Sequence, residues 1–282
     1  MGRLLIFGLG YTAQALAERL RGEAWHVVGT SRDGRDGRDG TIRFDDTRAV
    51  ASEIAAATHI LSSVPPAKDS DPVLFAYGAL LARSAAWRGY LSSTGVYGDA
   101  GGAWVDESAP TGTGRRSARA EADAAWLAAG AHVFRLPGIY GPGRSPLDRV
   151  SSGSAHRVDA PGQVFTRVHV EDIVAGVIAG FSAPPGAYNL SDDYPASQND
   201  VIDFAARLLG LPAPPFVPLE SLSPMARGFY AENRRVANGK AKRVLGWSPT
   251  YPDYRAGLRA LSATTSPPST SAAPPAASHD QT

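Results

Sequence analysis

Hydrophobic positions along the first part of the chain switch between two patterns. Leu4-Leu5-Ile6-Phe7 is an unbroken apolar run, the signature of a strand covered on both faces. Gly8-Leu9-Gly10-Tyr11-Thr12-Ala13 follows it, and residues 14–20 carry the amphipathic spacing of a helix. Residues 25–29 predict a second short strand that leads into Thr30-Ser31-Arg32. The polar repeat over 33–40 reads as a surface loop, and residues 41–44 as a third strand ending in Asp45-Asp46. A helix is expected over 48–58, a fourth strand over 59–64 broken by Pro65-Pro66, and a long helix over 73–87. Residues 89–98 predict a strand that runs into a cluster of hydroxyl side chains. Strands alternating with helices at this spacing define an α/β chain with a parallel, doubly wound sheet. Further helices are expected from about Glu171 to Phe181 and over 199–209, the latter ended by Gly210 and Pro212. From Ser262 onward Ser, Thr, Ala and Pro dominate without periodicity, so 262–282 is expected to be a disordered tail.

The opening strand, GxGxxA turn, helix and second strand form the first unit of a dinucleotide-binding fold. Gly8 permits the tight turn, Gly10 lets the backbone approach a pyrophosphate, and Ala13 allows close packing of helix on strand. Tyr11 and Thr12 lie on the same turn. The free N–H groups and partial positive charge of the helix N-terminus suit that pyrophosphate. The end of the second strand bears on which dinucleotide is bound. An acidic residue there holds the ribose hydroxyl of NAD, whereas an Arg accommodates the 2′-phosphate of NADP. This chain has Ser31 and Arg32 at that point, which favours NADP over NAD. Asp45 stands where such folds hydrogen-bond the adenine edge; Asp45 or Asp46 equally well caps the next helix. Ser62, Ser63, Val64 and Pro65 close the fourth strand at its carboxyl end, where the fold places ligand.

Composition narrows the classes further. The 282 residues can bury a sizeable core in one large domain or a domain with a small lobe. A net charge of +1 argues against nucleic acid or an anionic membrane as the main partner. The chain has no cysteine, which excludes disulfides, zinc–thiolate sites and a thiol nucleophile, and no metal site is expected. Met1 leads directly into the first strand without a charged leader or a long apolar segment. No signal peptide or membrane span is therefore expected, and the cytoplasm is the expected location.

Five segments together resemble one family. Ser92-Ser93-Thr94-Gly95-Val96-Tyr97-Gly98 is similar to the Ser/Thr-x-x-Val-Tyr-Gly segment of the extended short-chain dehydrogenase/reductases, the NAD-dependent epimerase/dehydratase family. Phe134-Arg135-Leu136-Pro137-Gly138-Ile139-Tyr140-Gly141-Pro142-Gly143 resembles its strand and YGPG turn, and Arg167-Val168-His169-Val170-Glu171-Asp172-Ile173 its R-x-H-V-x-D-I segment. Tyr188-Asn189-Leu190 and the closing Asn238, Lys240, Leu245-Gly246-Trp247 and Pro249 extend the likeness to about residue 261. The resemblance implies a Rossmann core over 1–261, with a small C-terminal substrate lobe drawn mainly from about 140–165 and 185–261. It also implies an NADP-dependent oxidoreductase or epimerase/dehydratase acting on a small, sugar-nucleotide-like molecule, in a possible homodimer.

The family's chemistry uses a Ser or Thr, matched by Ser93, to hydrogen-bond the substrate oxygen. It also uses a YxxxK pair, whose Tyr transfers the proton while its Lys holds the ribose and lowers the phenol's pKa. The corresponding segment here, residues 111–121, has neither Tyr nor Lys; Arg115 and Arg119 keep the four-residue spacing. A guanidinium does not release a proton near neutral pH, so the donor is missing and the chain resembles the family's atypical members. The alternative reading is a catalytically silent NADP-binding sensor or interaction protein. Pro137 is assigned to the cofactor side, and Thr94, Arg144, Arg167 and His169 are substrate candidates, the arginines for an anion. His169 has Glu171 and Asp172 beside it to orient the ring, while in the resembled motif this His supports the lobe.

Overall fold

The computed structural model describes residues 2–32, 40–67, 70–114 and 117–265. The expected 33–40 loop up to Asp39, Arg115, and the tail from 266 lie outside the described residues. β1 (Arg3–Phe7), α1 (Tyr11–Gly22), β2 (His26–Ser31) and β3 (Thr41–Arg43) open the chain. α2 (Thr47–Ala56), β4 (His59–Ser62), α3 (Pro72–Leu81) and β5 (Trp87–Ser93) follow, then a 3-10 turn at Thr94–Tyr97 and the short β6 (Trp104–Val105). α4 (Ser117–Ala128), β7 (His132–Leu136), β8 (Gly138–Tyr140), α5 (Pro146–Ser151) and β9 (Arg157–Val158) come next. β10 (Arg167–His169), α6 (Val170–Ala179), β11 (Gly186–Asn189) and α7 (Gln198–Leu208) follow them. β12 (Phe216–Val217), α8 (Pro224–Tyr230), β13 (Arg235–Val236), α9 (Gly239–Leu245) and α10 (Tyr254–Thr265) complete the chain.

Seven strands form one sheet in the order β11-β7-β5-β4-β1-β2-β3, every neighbouring pair parallel. This is the expected doubly wound sheet, with its change of strand direction in the order falling between β1 and β4. Because strand side chains alternate, Leu4 and Ile6 join Leu16, Leu20, Ile173 and Val177 on the α1/α6 face. Leu5 and Phe7 join Val50, Tyr77, Leu81 and Trp126 on the other. At the amino ends of the strands the Trp25, His59, Phe181, Trp87 and His132 rings pack in sequence, edge to face or tilted until the stacked Trp87–His132 pair, with centroids 4.4–4.9 Å apart. A third core, with Leu147, Val150, Val201, Ile202, Tyr254 and Leu258, joins α5, α7 and α10.

Three boundaries differ from expectation. The helix expected to reach residue 87 stops at Leu81, because Trp87 already pairs with His59 in β5 and lays its ring over Gly89. Within the stretch assigned to the lobe, β11 is a strand of the main sheet, and Ala241 and Trp247 pack into the α1/α6 core. The final helix runs to Thr265, past the point where disorder was expected; Leu258 and Leu261 bury in the third core and hold it.

A buried polar network sits beneath the carboxyl ends of β5 and β7. Arg135 donates from Nε and Nη2 to the two carboxylate oxygens of Asp123, at 3.0 and 2.7 Å, and from Nη1 to the Tyr97 hydroxyl at 2.9 Å. Ser92 Oγ donates to Asp123 at 2.7 Å, and Tyr97 donates to Asn189 Oδ1 at 2.8 Å. Burial disfavours the Arg135 charge, but the Asp123 carboxylate outweighs it and raises the guanidinium above its ordinary value. Asp123→Ala strands this cation in the interior, and urea denaturation is expected to show a loss of about 3–5 kcal/mol. A loss below about 1 kcal/mol would show that Arg135 finds other partners.

Candidate functional site

The carboxyl ends of β1, β4, β5 and β7 open onto a cleft of about 720 Å³, whose opposite wall comes from the segments after β9 and around α8. On the sheet side, Gly8 has φ +82°, and a Cβ there would stand 3.0 Å from Val64 Cγ2. Its N–H donates to Thr30 Oγ1 at 3.2 Å, tying the turn to β2. Gly10 caps α1 without a side-chain bond, and a Cβ there would meet only Ser63 Oγ, at 3.8 Å. The protein's own packing thus leaves the space above Gly10 open. Ala13 is fully buried against the sheet, and the first turn of α1 contains no acidic residue to oppose its dipole.

Of the residues expected to form the site, the fold gathers Tyr11, Thr12, Ser63, Pro65, Ser93 and Thr94 around the cleft, with Pro137, Arg144 and Arg167. Ser93 Oγ accepts from Gly95 N–H at 3.1 Å, which leaves its O–H free to donate into the cleft. Tyr11 donates to the Pro142 carbonyl at 3.0 Å, and Arg144 lies 5.6 Å from its ring. Burial raises the Tyr11 hydroxyl pKa, against the pull of Arg144. Arg119, one turn before Asp123 on α4, also lines the cleft.

Other expected residues stand elsewhere. Ser31 ends β2, and Arg32 is exposed just beyond it. Ser62 is buried with its hydroxyl unpartnered, one residue short of the cleft. Val64 packs at Gly8. Asp45 faces solvent in a two-bond ion pair with Arg43, at 2.8 and 2.6 Å, and the cap of α2 comes from Asp46. Two substrate candidates are engaged by bonds within the protein. Arg167 reaches the cleft wall, but its guanidinium donates to the Phe165 and Ala196 carbonyls and to Gln198 Oε1. His169 is buried between the Tyr140 and Tyr251 rings, where Nδ1 accepts from Glu171 N–H and caps α6. Its role is to start the helix, and burial lowers its pKa.

Sequence reading missed the far wall. Arg149, His156, Phe165, Phe229, Tyr230 and Arg234 reach the cleft from segments remote from the glycine turn. Among the described residues, Glu232 is the one carboxylate on the lining, and Arg234 pairs with it at 2.9 Å.

The parallel sheet order, the open glycine turn under α1 and the Ser93 turn at the cleft define a Rossmann-type α/β protein. The chain belongs to the family of protein YeeZ of Escherichia coli. It is 30% identical over 283 residues to protein YeeZ of Escherichia coli K12, covering 90% of this chain and 97% of that one. It is 28% identical over 301 residues to a Streptomyces 3-diazoavenalumate denitrifying reductase, covering 91% and 99%. A solved structure of a conserved protein from Silicibacter pomeroyi, described as functionally unknown, matches with TM-score 0.87 and 44% identity, covering 94% and 99%. Further solved structures at 15–24% identity and TM-scores of 0.70–0.75 share the fold. They include a human epimerase family protein with NADPH and a dTDP-glucose 4,6-dehydratase with NAD. No family model matches the chain. No described helix is long and apolar enough to cross a membrane.

Behind the Arg167 wall, Asp192 is 2% exposed and neither carboxylate oxygen makes a hydrogen bond. Burial pushes its pKa up to about 8, with the Arg167 guanidinium opposing. An unfolded Asp titrates near 3.9, so from about pH 4 to 8 the folded state holds a proton that the unfolded state lacks. Stability should fall as pH rises through that window, by up to about 1.4 kcal/mol per unit, and level off above it. Asp192→Asn removes this contribution. Urea denaturation should show the variant gaining on wild type between pH 5 and 8, and parallel pH profiles would contradict the assignment.

Proposed function

We propose that the protein is an NADP(H)-dependent reductase whose small substrate lies between the sheet edge and the far wall of the cleft. The observation that carries this reading is that Tyr11, Thr12 and Ser63, the residues beside the open position at Gly10, line the same cleft as Ser93 and Arg119. The residues present fit the cofactor. The first N–H groups of α1 would take the diphosphate, Ser31 and Arg32 the 2′-phosphate, and Ser63, Pro65 and Pro137 would flank the nicotinamide half. NADP, when bound, supplies or accepts a hydride.

Ser93 donates its hydroxyl proton in a hydrogen bond to the reacting group of the substrate. α4 reads Ser117-Ala118-Arg119-Ala120-Glu121-Ala122-Asp123, with no phenol to take a proton from an alcohol. Transient alcohol oxidation, the step that epimerisation and dehydration require, therefore has no base on α4. Arg119 instead offers a permanent positive charge, which stabilises negative charge arriving with a hydride, while the proton follows from water. Reduction is favoured on this ground, and the Streptomyces relative is itself named a reductase. Two solved neighbours hold UDP-glucose, which makes a sugar nucleotide one candidate substrate. The absent phenol also supports a second reading, a protein that binds NADP without turnover.

The test is a fluorescence titration of wild type and Arg32→Ala with NADPH and NADH. Wild type should prefer NADPH, and Arg32→Ala should lose about tenfold or more for NADPH while NADH is unchanged. Undetectable binding of both by folded wild type would overturn the proposal.

A further inference from the structure

The far wall of the cleft has an unusual balance of groups. Phe165 and Tyr230 meet edge to face with ring centroids 5.4 Å apart, and Phe229, on the same helix as Tyr230, stays 48% exposed. Leu222 and Ala226 continue this apolar surface. The polar groups on the wall are mostly committed. Arg167 is held by two carbonyls and Gln198, which in turn spends its side-chain oxygen. Arg234 donates to the Gly98 carbonyl at 2.5 Å and to Glu232.

Arg149 is not among the committed groups. It stands on α5 at the cleft, and no ion pair or hydrogen bond from its guanidinium is found among the described residues. Its charge reaches the Tyr230 hydroxyl, where it opposes the rise in pKa that burial causes. An aromatic surface with one uncommitted guanidinium beside it suits a flat apolar body carrying one anionic group. A sugar presents a ring of hydroxyls, and each would lose its water against Phe165, Phe229 and Leu222 without a replacement partner.

Resting on the cofactor reading above, we propose that the substrate is an aromatic carboxylic acid, its ring against Phe165, Phe229 and Tyr230 and its carboxylate on Arg149. The acceptor end is then left to Ser93 and Arg119, which line the same cleft.

Calorimetric titration of the full chain, with and without saturating NADPH, tests this using trans-cinnamate, cinnamamide and UDP-glucose as probes. Cinnamate should bind saturably, and the uncharged amide at least tenfold more weakly. Arg149→Ala should lose about tenfold or more for cinnamate while keeping NADPH affinity, which also reports that the variant is folded, and Arg149→Lys should recover part of the loss. Equal binding of acid and amide, no effect of Arg149→Ala, no binding of cinnamate, or displacement of cinnamate by tighter UDP-glucose would each overturn the proposal. Arg149-dependent binding of cinnamate with no binding of NADPH would uphold this inference and overturn the cofactor reading alone. NADPH binding without cinnamate binding would do the reverse.

Discussion

The Asp123–Arg135 pair is the constraint on which the cleft depends. Both side chains are almost fully buried, at 1% and 4% exposed, so neither charge has solvent to fall back on. Each must be satisfied by protein groups, and each is: Asp123 accepts from Ser92 and twice from Arg135, while Arg135 also reaches Tyr97. A buried pair of this kind adds little net stability over an apolar replacement, because desolvation offsets the attraction. Its effect is geometric. It fixes α4 against β5 and β7 at one angle, and Arg119 precedes Asp123 by four residues on the same face of that helix. The placement of Arg119 in the cleft follows from the placement of Asp123 beneath it.

The same network reaches the far wall. Tyr97 passes a hydrogen bond to Asn189, whose N–H is held by Glu107 at 2.7 Å and whose amide donates to the Ala237 carbonyl at 3.0 Å. Ser191 Oγ donates to Val236 O, and Asn238 donates to Ser191 O and Asp193 Oδ1. These bonds stitch the strand that follows Arg234 to the end of β11. Sheet edge and far wall are thereby joined through polar contacts under the cleft floor, and the aromatic face at Tyr230 is held at a set distance from Ser93.

Legibility in the sequence followed the range of the forces involved. The glycine turn could be read because a left-handed φ at Gly8 and an open approach at Gly10 are local demands, met by the residue itself. Ser93 could be read because an apolar strand delivers it. Helix ends were less visible. Nothing near Trp87 announces that its ring will cover Gly89 and turn a helical pattern into strand, since that choice is made by the neighbouring β4. Arg167 and His169 carry chemistry-bearing side chains, yet both are consumed by nearby backbone, Arg167 by two carbonyls and His169 by the first turn of α6. The far wall was not legible at all. Phe165, Arg149 and Tyr230 share no period and meet only when α5 and α8 come together across the cleft.

Two features of the cleft, an α4 without a phenol and an aromatic far wall, point in one direction. On the proposed reading, proton transfer from α4 is given up, but Arg119 retains a charge that no accessible pH removes. A reaction in such a site must generate an anion that is stable enough to await a proton from water. Electron-poor aromatic and conjugated acceptors meet that condition, because the incoming electron pair is spread over a π-system, whereas the alkoxide from a simple sugar ketone does not. The cleft lining carries the same bias, with Arg119, Arg144, Arg149, Arg167 and Arg234 against the single carboxylate of Glu232. On the proposed reading, the missing phenol and the aromatic wall are complementary: a hydride acceptor that needs no acid beside it, held by the flat apolar body that makes it so.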